Sequence, residues 1–443
     1  MFERTFKGGV HPKDRKELSE NSRIVRLEAK GELTYLMNQH IGAPAKPLVK
    51  AGDRVLLGQI IAEAGGFVSA CVAASVSGTV KSVTLKMTQS GDEAIAITVE
   101  NDNEYEAVPG FGEPRDYADM SKDDIRGAIR DAGIVGMGGA GFPTSVKVSV
   151  KDDTKIDYII CNGAECEPYI TCDYRLMLER PGDAVTGMKI LLKLFDNAVG
   201  VFGIENNKPL GIKTLSDCCA GSERISVMPL KKKYPQGGER MLISAVTGRK
   251  INSKMLPADA GCVVVNYSTL IAIADAVTKR MPLVRRVVTV TGDAINQPSN
   301  FDVPIGICAQ ELIEAAGGYK EEPEKLIFGG PMMGAAVYTS ELPITKASSC
   351  VLALTKDETA GLEPSECIRC GKCLYACPEH LMPIRLKNTA DAGEYEEFEK
   401  LNGLECIGCG CCTYVCPAKR RLSQTITMAK RYVLAEKKKG AAK

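Results

Sequence analysis

Nine of the chain's 18 cysteines lie between Cys367 and Cys416, in two runs of one pattern. The first is Cys367-Ile-Arg-Cys370-Gly-Lys-Cys373-Leu-Tyr-Ala-Cys377-Pro378. The second is Cys406-Ile-Gly-Cys409-Gly-Cys411-Cys412-Thr-Tyr-Val-Cys416-Pro417. Both fit C-x2-C-x2-C-x3-C-P, a run that holds [4Fe–4S] clusters. Two-residue gaps let three thiolates converge on one cubane, while the fourth cysteine reaches the neighbouring cluster. That rule assigns Cys367, Cys370, Cys373 and Cys416 to one cluster and Cys406, Cys409, Cys412 and Cys377 to the other. Cys411 is then surplus. Four-cysteine zinc sites also use C-x2-C pairs, but two complete motifs, each closed by Cys-Pro, favour clusters. Clusters crossed in this way sit close enough for electrons to hop, so a relay is expected. The remaining nine cysteines are scattered and read mostly as small core residues.

The second feature is Gly136-Met-Gly138-Gly139-Ala-Gly141-Phe142-Pro143, a formal match to G-x-G-x-x-G. An ordinary dinucleotide loop follows a strand and opens a helix. The segment before this one, DDIRGAIRDAG, reads as helical, so that fingerprint is rejected. The glycines still let backbone N–H groups approach an anion closely, as phosphate nests do. Phe142 offers a ring for stacking and Lys147 a positive charge. The bland alternative is a tight structural turn. The three histidines, His11, His40 and His380, have no ligand spacing and read as surface or structural residues. No Ser-His-Asp set or paired acid and base stands out. Hydride transfer to a flavin needs neither, because the cofactor carries the chemistry.

These groups must be held by several domains. At roughly 100–200 residues per domain, 443 residues predict two to four. Apolar and charged fractions of 44% and 25% are those of an ordinary globular chain, and a net charge of +1 supplies no field to recruit nucleic acid or membrane. No stretch is apolar enough to span a membrane, and the start MFERTFKGGVHP lacks a signal-peptide core, so a cytoplasmic protein is expected. Residues 40–100 read as short, glycine-punctuated strands of a small barrel or sandwich. The phrases V-K-A-G-D-R-V-L-L-G-Q and S-G-T-V resemble biotinyl- and lipoyl-carrier domains, yet the hairpin tip Gly65–Cys71 holds no lysine to modify. Ser121-Lys-Asp-Asp124 predicts a capping box, with Ile125, Ile129 and Ala132 on one helical face. IDYIIC (156–161) and GCVVVNY (261–267) predict strands, MKILLKLF (188–195) a helix, and VRRVVTVTG with AQELIEAAGG a small α+β unit. Between Pro417 and Lys443 stand nine Lys/Arg against Glu436 alone. This is either a solvated terminus or a segment that docks on an anionic surface or an acidic partner.

The glycine loop with its T-x-x-K extension resembles the flavin loop of the NADH-binding flavoprotein subunit of respiratory complex I. Asn162-Gly-Ala-Glu165-Cys-Glu167-Pro168, Tyr234-Pro-Gln-Gly237-Gly238-Glu239-Arg240 and Asn266-Tyr-Ser-Thr269-Leu270 resemble its N-A-D-E-G-E-P, Y-x-x-G-E-E-T and N-V-E-T-L segments, in the same order. With F-K-G-G-V-H-P, the carrier-like barrel and the ferredoxin-type tail, nearly the whole chain resembles the family of C subunits of Rnf complexes, membrane-bound ferredoxin:NAD oxidoreductases. The resemblance implies an α/β multidomain protein. It would comprise a carrier-like β barrel-sandwich domain (1–115), a Rossmann-like flavin/NADH domain (116–282), a β-grasp SLBB domain (283–340), a helical two-cluster ferredoxin-like domain (341–426) and a basic tail (427–443). It implies FMN on Gly136, Gly138, Gly139, Gly141, Phe142, Lys147, Asn162, Glu165, Gly237, Asn266 and Thr269, and NAD(H) at Phe142, Glu167 and Glu239. Met137, Ala164 and Gly238 depart from the flavoprotein's Arg, Asp and Glu. The implied protein is an electron-transport subunit, peripheral on the cytoplasmic face of the cell membrane. It takes hydride from NADH or gives it to NAD⁺, and relays electrons to membrane and peripheral subunits and indirectly to ferredoxin, coupled to ion translocation. A stand-alone reductase of the same fold, cobalamin reductase-like, and a cluster-bearing scaffold without a working flavin site are the alternatives.

Overall fold

The computed structural model describes residues 4–359 and 361–441. The parallel sheet that carries the glycine loop's neighbours has four strands, in the order Ile225–Leu230, Val199–Glu205, Tyr158–Gly163, Cys262–Asn266. Every pair is parallel. The predicted segments IDYIIC and GCVVVNY supply its two neighbouring strands, apolar on both faces because helices cover each side. The chain leaves Tyr158–Gly163 in one direction for two strands and returns to its other flank for Cys262–Asn266. The crevice between the carboxyl ends of those two strands is therefore the sheet's topological switch point, where open α/β sheets bind ligands.

The helix Lys122–Asp131 starts on the expected capping box: Ser121 accepts from the Asp124 amide and Asp124 from the Ser121 amide. Ile125 and Ile129 are fully buried on its inner face. That helix, not a strand, leads into the glycine loop, as the sequence implied. The carrier-like unit is a sandwich of two small sheets, one of four strands (Glu32–Leu36, Glu93–Asn101, Gly78–Met87, Arg54–Val55) and one of three (Lys46–Pro47, Ile60–Glu63, Val72–Ala73). Its hairpin tip is anchored on its C-terminal side, with Phe67 left exposed. The Ala43 amide donates to Val68 O at 2.9 Å, and the Lys346 ammonium donates to Cys71 O and Gly133 O at 2.6 and 2.7 Å. The tip is thus wedged against the flavin-type domain. His40 is buried, bonded to the backbone of Ala70, in the structural role expected.

The third sheet has six strands, in the order Ile24–Arg26, Ser299–Pro304, Arg285–Thr291, Cys350–Leu354, Lys325–Phe328, Ala335–Val337. It takes an edge strand from the N-terminal segment and an inner strand from beyond residue 340, so the boundary expected at 340 falls inside a sheet. The apolar run V-L-A-L is buried between two neighbours, a constraint that a count from the cysteine cluster cannot detect. Residues 4–23 likewise leave the sandwich and wrap the parallel-sheet domain. The cysteine-rich region is helical. The residues expected to form a basic tail from 427 continue the helix Leu422–Ala441. Ile426, Ala429 and Val433 bury its inner face, so up to that point the tail is part of the domain. The last two residues of that expected tail, Ala442 and Lys443, lie outside the described residues, as do Met1–Glu3 of the start. Among the described residues no helix is long and apolar enough to cross a membrane.

Candidate functional site

The glycine loop is closed at its base by a bridge between Val135 and Pro143 and by the Gly136 amide donating to Phe142 O at 2.8 Å. Two side chains hold its middle. The Met137 amide donates to Thr269 Oγ1 at 3.0 Å, and the buried Arg286 guanidinium donates to Met137 O at 2.6 Å. Asn162 and Asn266 are paired neighbours at the carboxyl ends of the two central strands. A Cβ at Gly138 would lie 2.9 Å from Asn266 Nδ2, whereas one at Gly139 would meet nothing within 4 Å. Gly138 is thus needed for packing against Asn266, and Gly139 leaves its backbone open. Asn266 caps the helix Tyr267–Lys279 through Thr269 N and donates to Asp173 Oδ2 at 2.7 Å. Asn162 Nδ2 donates to Gly237 O at 2.8 Å, which ties the 234–239 segment to the crevice. Lys147 Nζ lies 2.9 Å from Glu239 Oε1 and donates to Val264 O at 2.8 Å. Gly141 holds φ +66° against the backbone of Gln39 and His40. Phe142 is half-buried.

Two asparagines thus brace the switch point beside a glycine loop whose exposed Gly138 and Gly139 amides suit an anionic ligand such as a flavin phosphate. Two acidic residues are engaged elsewhere. Glu165 accepts from the Asp173 and Tyr174 amides at the start of a helix, with Lys16 Nζ 3.7 Å away. Burial pushes its carboxyl up to about 6 against the pull of Lys16 and Lys208. Glu167 accepts from the Met332 amide at 3.1 Å, and Gly330 packs on its carboxylate. Burial raises it to about 7. Its Oε1 is buried without a hydrogen-bond partner, an unmet acceptor beside the crevice.

Sequence reasoning passed over Arg286, Asp173, Lys16 and Lys208. Arg286 had a signal: in V-R-R-V-V-T-V, alternation must turn one of two adjacent arginines inward. Burial lowers that guanidinium's pKa. Asp173 and Lys16 had none, because their partners lie 93 and 151 residues away.

The two cysteine motifs are conformational copies. Left-handed backbone recurs at Arg369 and Gly408, Gly371 and Gly410, and His380 and Lys419, at equal offsets within each motif. In each, the amide two residues after the first cysteine donates to its sulfur at 3.4 Å: Arg369 to Cys367 and Gly408 to Cys406. The copy places Cys412 where Cys373 stands and Cys411 where Lys372 stands. Cys411 is fully buried, its sulfur toward Tyr234 O. Cys377, Cys406, Cys409, Cys411 and Cys412 line one small cavity with Leu386 and Ile426. Burial pushes the Cys377 and Cys412 thiols up to about 11 and about 12. Such thiols bind iron by releasing their protons. With Cys411 turned toward Tyr234 O, the other four cysteines around this cavity, two of them accepting from the Leu381 and Gly408 amides, fit an iron–sulfur cluster. Cys367 and Cys370 are exposed on the other loop, and Cys373 faces Cys416 closely enough for their charges to interact.

The family model of the RnfC barrel sandwich hybrid domain matches residues 4–104, the Nuo51 FMN-binding domain 129–275, the SLBB domain 287–336 and the 4Fe-4S dicluster domain 366–420. The chain is 43% identical over 437 residues to the C subunit of the Na(+)-translocating ferredoxin:NAD(+) oxidoreductase complex of Acetobacterium woodii, covering 98% of both chains. It is 46% identical over 428 residues to the C subunit of the proton-translocating ferredoxin:NAD(+) oxidoreductase complex of Clostridium ljungdahlii, covering 96% of this chain and 93% of that one. To the C subunit of the ion-translocating oxidoreductase complex of Rhodobacter capsulatus it is 38% identical over 402 residues, 90% of this chain and 77% of the relative.

Proposed function

The chain belongs to the family of C subunits of Rnf-type, ion-translocating ferredoxin:NAD oxidoreductase complexes, and on that premise we propose that it exchanges hydride between NAD(H) and FMN at the 136–142 loop and hands single electrons to partner subunits through the two cysteine motifs. It is an oxidoreductase subunit with an FMN-binding domain and a 4Fe-4S dicluster domain. The observation that carries the proposal is the convergence of the open glycine loop, Asn162 and Asn266 on the switch-point crevice, one short segment away from the four-cysteine cavity.

FMN, when bound, trades a hydride with nicotinamide and single electrons with [4Fe–4S] clusters. The protein's own residues position it. The amides of Gly138 and Gly139 would hold the flavin phosphate, and Lys147, held by Glu239 and Val264 O, would supply a positive charge. Asn162, Gly237, Asn266 and Thr269 fix the crevice walls, and Phe142 would offer a ring for nicotinamide to stack on. Glu167, half its carboxylate unpartnered, and Glu239 would contact the nicotinamide nucleotide. Glu165 holds the wall through the helix start behind it. Cys367, Cys370, Cys373 and Cys416 would ligate one cluster and Cys377, Cys406, Cys409 and Cys412 the other.

The protein is a subunit of a multi-subunit complex. Its place is peripheral, on the cytoplasmic membrane face, with electrons reaching ferredoxin only through a partner subunit. The test is anaerobic purification with FMN, iron and acid-labile sulfide quantified, followed by NADH titration. Flavin that bleaches with NADH, with iron and sulfide for two clusters, supports the reading. Clusters without NADH-reducible flavin refute it.

A further inference from the structure

The 136–141 loop carries no charged or hydroxyl side chain of its own. What it offers an anion is backbone amides, and an amide serves only if its peptide is turned the right way. Among the described residues the Gly138 and Gly139 amides have no hydrogen-bond partner, and both glycines are exposed. The Met137–Gly138 peptide is trans, so its C=O and N–H point in opposite directions. The glycine on its far side has no Cβ to oppose a flip of that peptide. Flipped, the loop would present a carbonyl to the anion in place of an N–H.

Arg286 prevents the flip. It stands on the strand Arg285–Thr291, which begins the SLBB unit, and is 3% exposed. Its guanidinium donates to Met137 O at 2.6 Å, to Lys346 O at 3.0 Å and to Ser348 O. All three acceptors are neutral carbonyls, whereas the neighbouring Arg285 pairs with Glu28 and Asp302. A buried cation held by carbonyls alone is costly to keep, and a mere tie between domains does not call for one.

The cradle of Arg286 is itself fixed. The Lys346 amide donates to Gln39 Oε1 at 3.0 Å, its ammonium to Cys71 O and Gly133 O, and the Thr345 amide to Ser348 Oγ at 2.9 Å. Arg286 therefore cannot follow the loop, and the Met137 carbonyl must come to it. On the other flank the Met137 amide is taken by Thr269 Oγ1 at 3.0 Å. With both peptides of Met137 pinned, the Gly138 N–H points away from Arg286, toward the exposed side of the loop.

We propose that Arg286 is a positioning residue for the ligand's phosphate: by holding the Met137 carbonyl it keeps the Gly138 amide turned outward to the anion. Its charge at the carbonyl end also polarises that peptide, which strengthens the N–H as a donor. The SLBB unit then takes part in flavin binding without touching the flavin. The proposal rests on the FMN reading above and deepens it. Its effect is confined to the phosphate, because the flavin ring and ribityl chain have no part in the Gly138 contact.

The test uses the full chain with its clusters, purified anaerobically and stripped of flavin. It is titrated with FMN and, separately, with riboflavin, which has the same ring and ribityl chain but no phosphate. Fluorescence quenching gives both Kd values. The wild type prefers FMN. In Arg286→Met that preference falls about ten- to a hundredfold, the loss of one hydrogen bond to a charged group, with the riboflavin Kd unchanged. Arg286→Lys keeps the charge but cannot bridge three carbonyls, and its preference falls by less. A variant is read only where it keeps its iron and a single cooperative melt, so the lysine variant decides if the methionine variant does not fold. Equal weakening of both flavins makes Arg286 a tie between domains only and overturns the proposal, as does an unchanged preference in every variant that folds. A wild type that binds FMN no more tightly than riboflavin fails at an earlier step, and refutes the placement of the phosphate on this loop along with the role of Arg286.

Discussion

Gly139→Val separates a ligand effect from a folding effect. A Cβ at Gly139 meets no atom within 4 Å, and its backbone is not left-handed. Apart from the ligand, the substitution is a surface change in a loop, worth within about 0.5 kcal/mol of fold stability. A bound phosphate does meet it, because the side chain stands between the loop amides and the anion. Losing one hydrogen bond to a charged group costs about 1.5–3 kcal/mol, or about ten- to a hundredfold in Kd. The assay is titration of deflavinated protein with FMN by fluorescence quenching, with thermal melting and iron content as controls. Gly138→Val is the contrast: it collides with Asn266, which caps a helix, and overpacking of that kind costs about 1–3 kcal/mol of stability. An unchanged Kd in Gly139→Val, or a loss of affinity matched by a drop in Tm, would refute the placement of the phosphate on this loop.

Cys411→Ser keeps both clusters, whereas Cys412→Ser loses or converts one, since the copied backbone puts Cys412 at the position of Cys373; iron content and low-temperature EPR decide, and the opposite result moves the ligand frame. Glu167→Gln changes the pH dependence of stability. The folded protein holds the Glu167 proton up to about 7 against the usual glutamate value of 4.5, so between those values the unfolded chain has already released it and stability falls as pH rises. The penalty reaches roughly 3 kcal/mol above pH 7. The glutamine variant, which still accepts from Met332 N, melts higher at pH 8 and loses the part of the slope that Glu167 contributes, keeping that of the other raised carboxyls such as Glu165; identical pH profiles would count against a buried, protonated Glu167. Removing residues 437–443, rather than the longer segment from 430 that contains buried Val433, leaves the domain folded and weakens membrane or partner association at low salt, with the difference shrinking as salt rises. Equal retention at low salt dismisses the docking role.

Local chemistry was legible without the fold. Cysteine spacing, the Ser121–Asp124 capping box and the apolar strands are written in near neighbours, because cluster loops, helix caps and buried parallel strands each impose a short-range pattern on the residues that form them. Resemblance to a family supplied Asn162, Asn266 and Thr269, none of which has a distinctive spacing of its own. The rest depended on tertiary structure, for one physical reason: a residue's role there is set by a partner far away in the chain. Lys16 lies under Glu165 and Glu167, Arg286 holds the carbonyl of Met137, and Cys350–Leu354 completes a sheet begun at Ile24. The two cysteine motifs make the point most directly. By sequence they are near-equivalent, and only the packing of Tyr234, Arg240 and Gly8 against one of them buries that one while the Cys367 loop stays exposed.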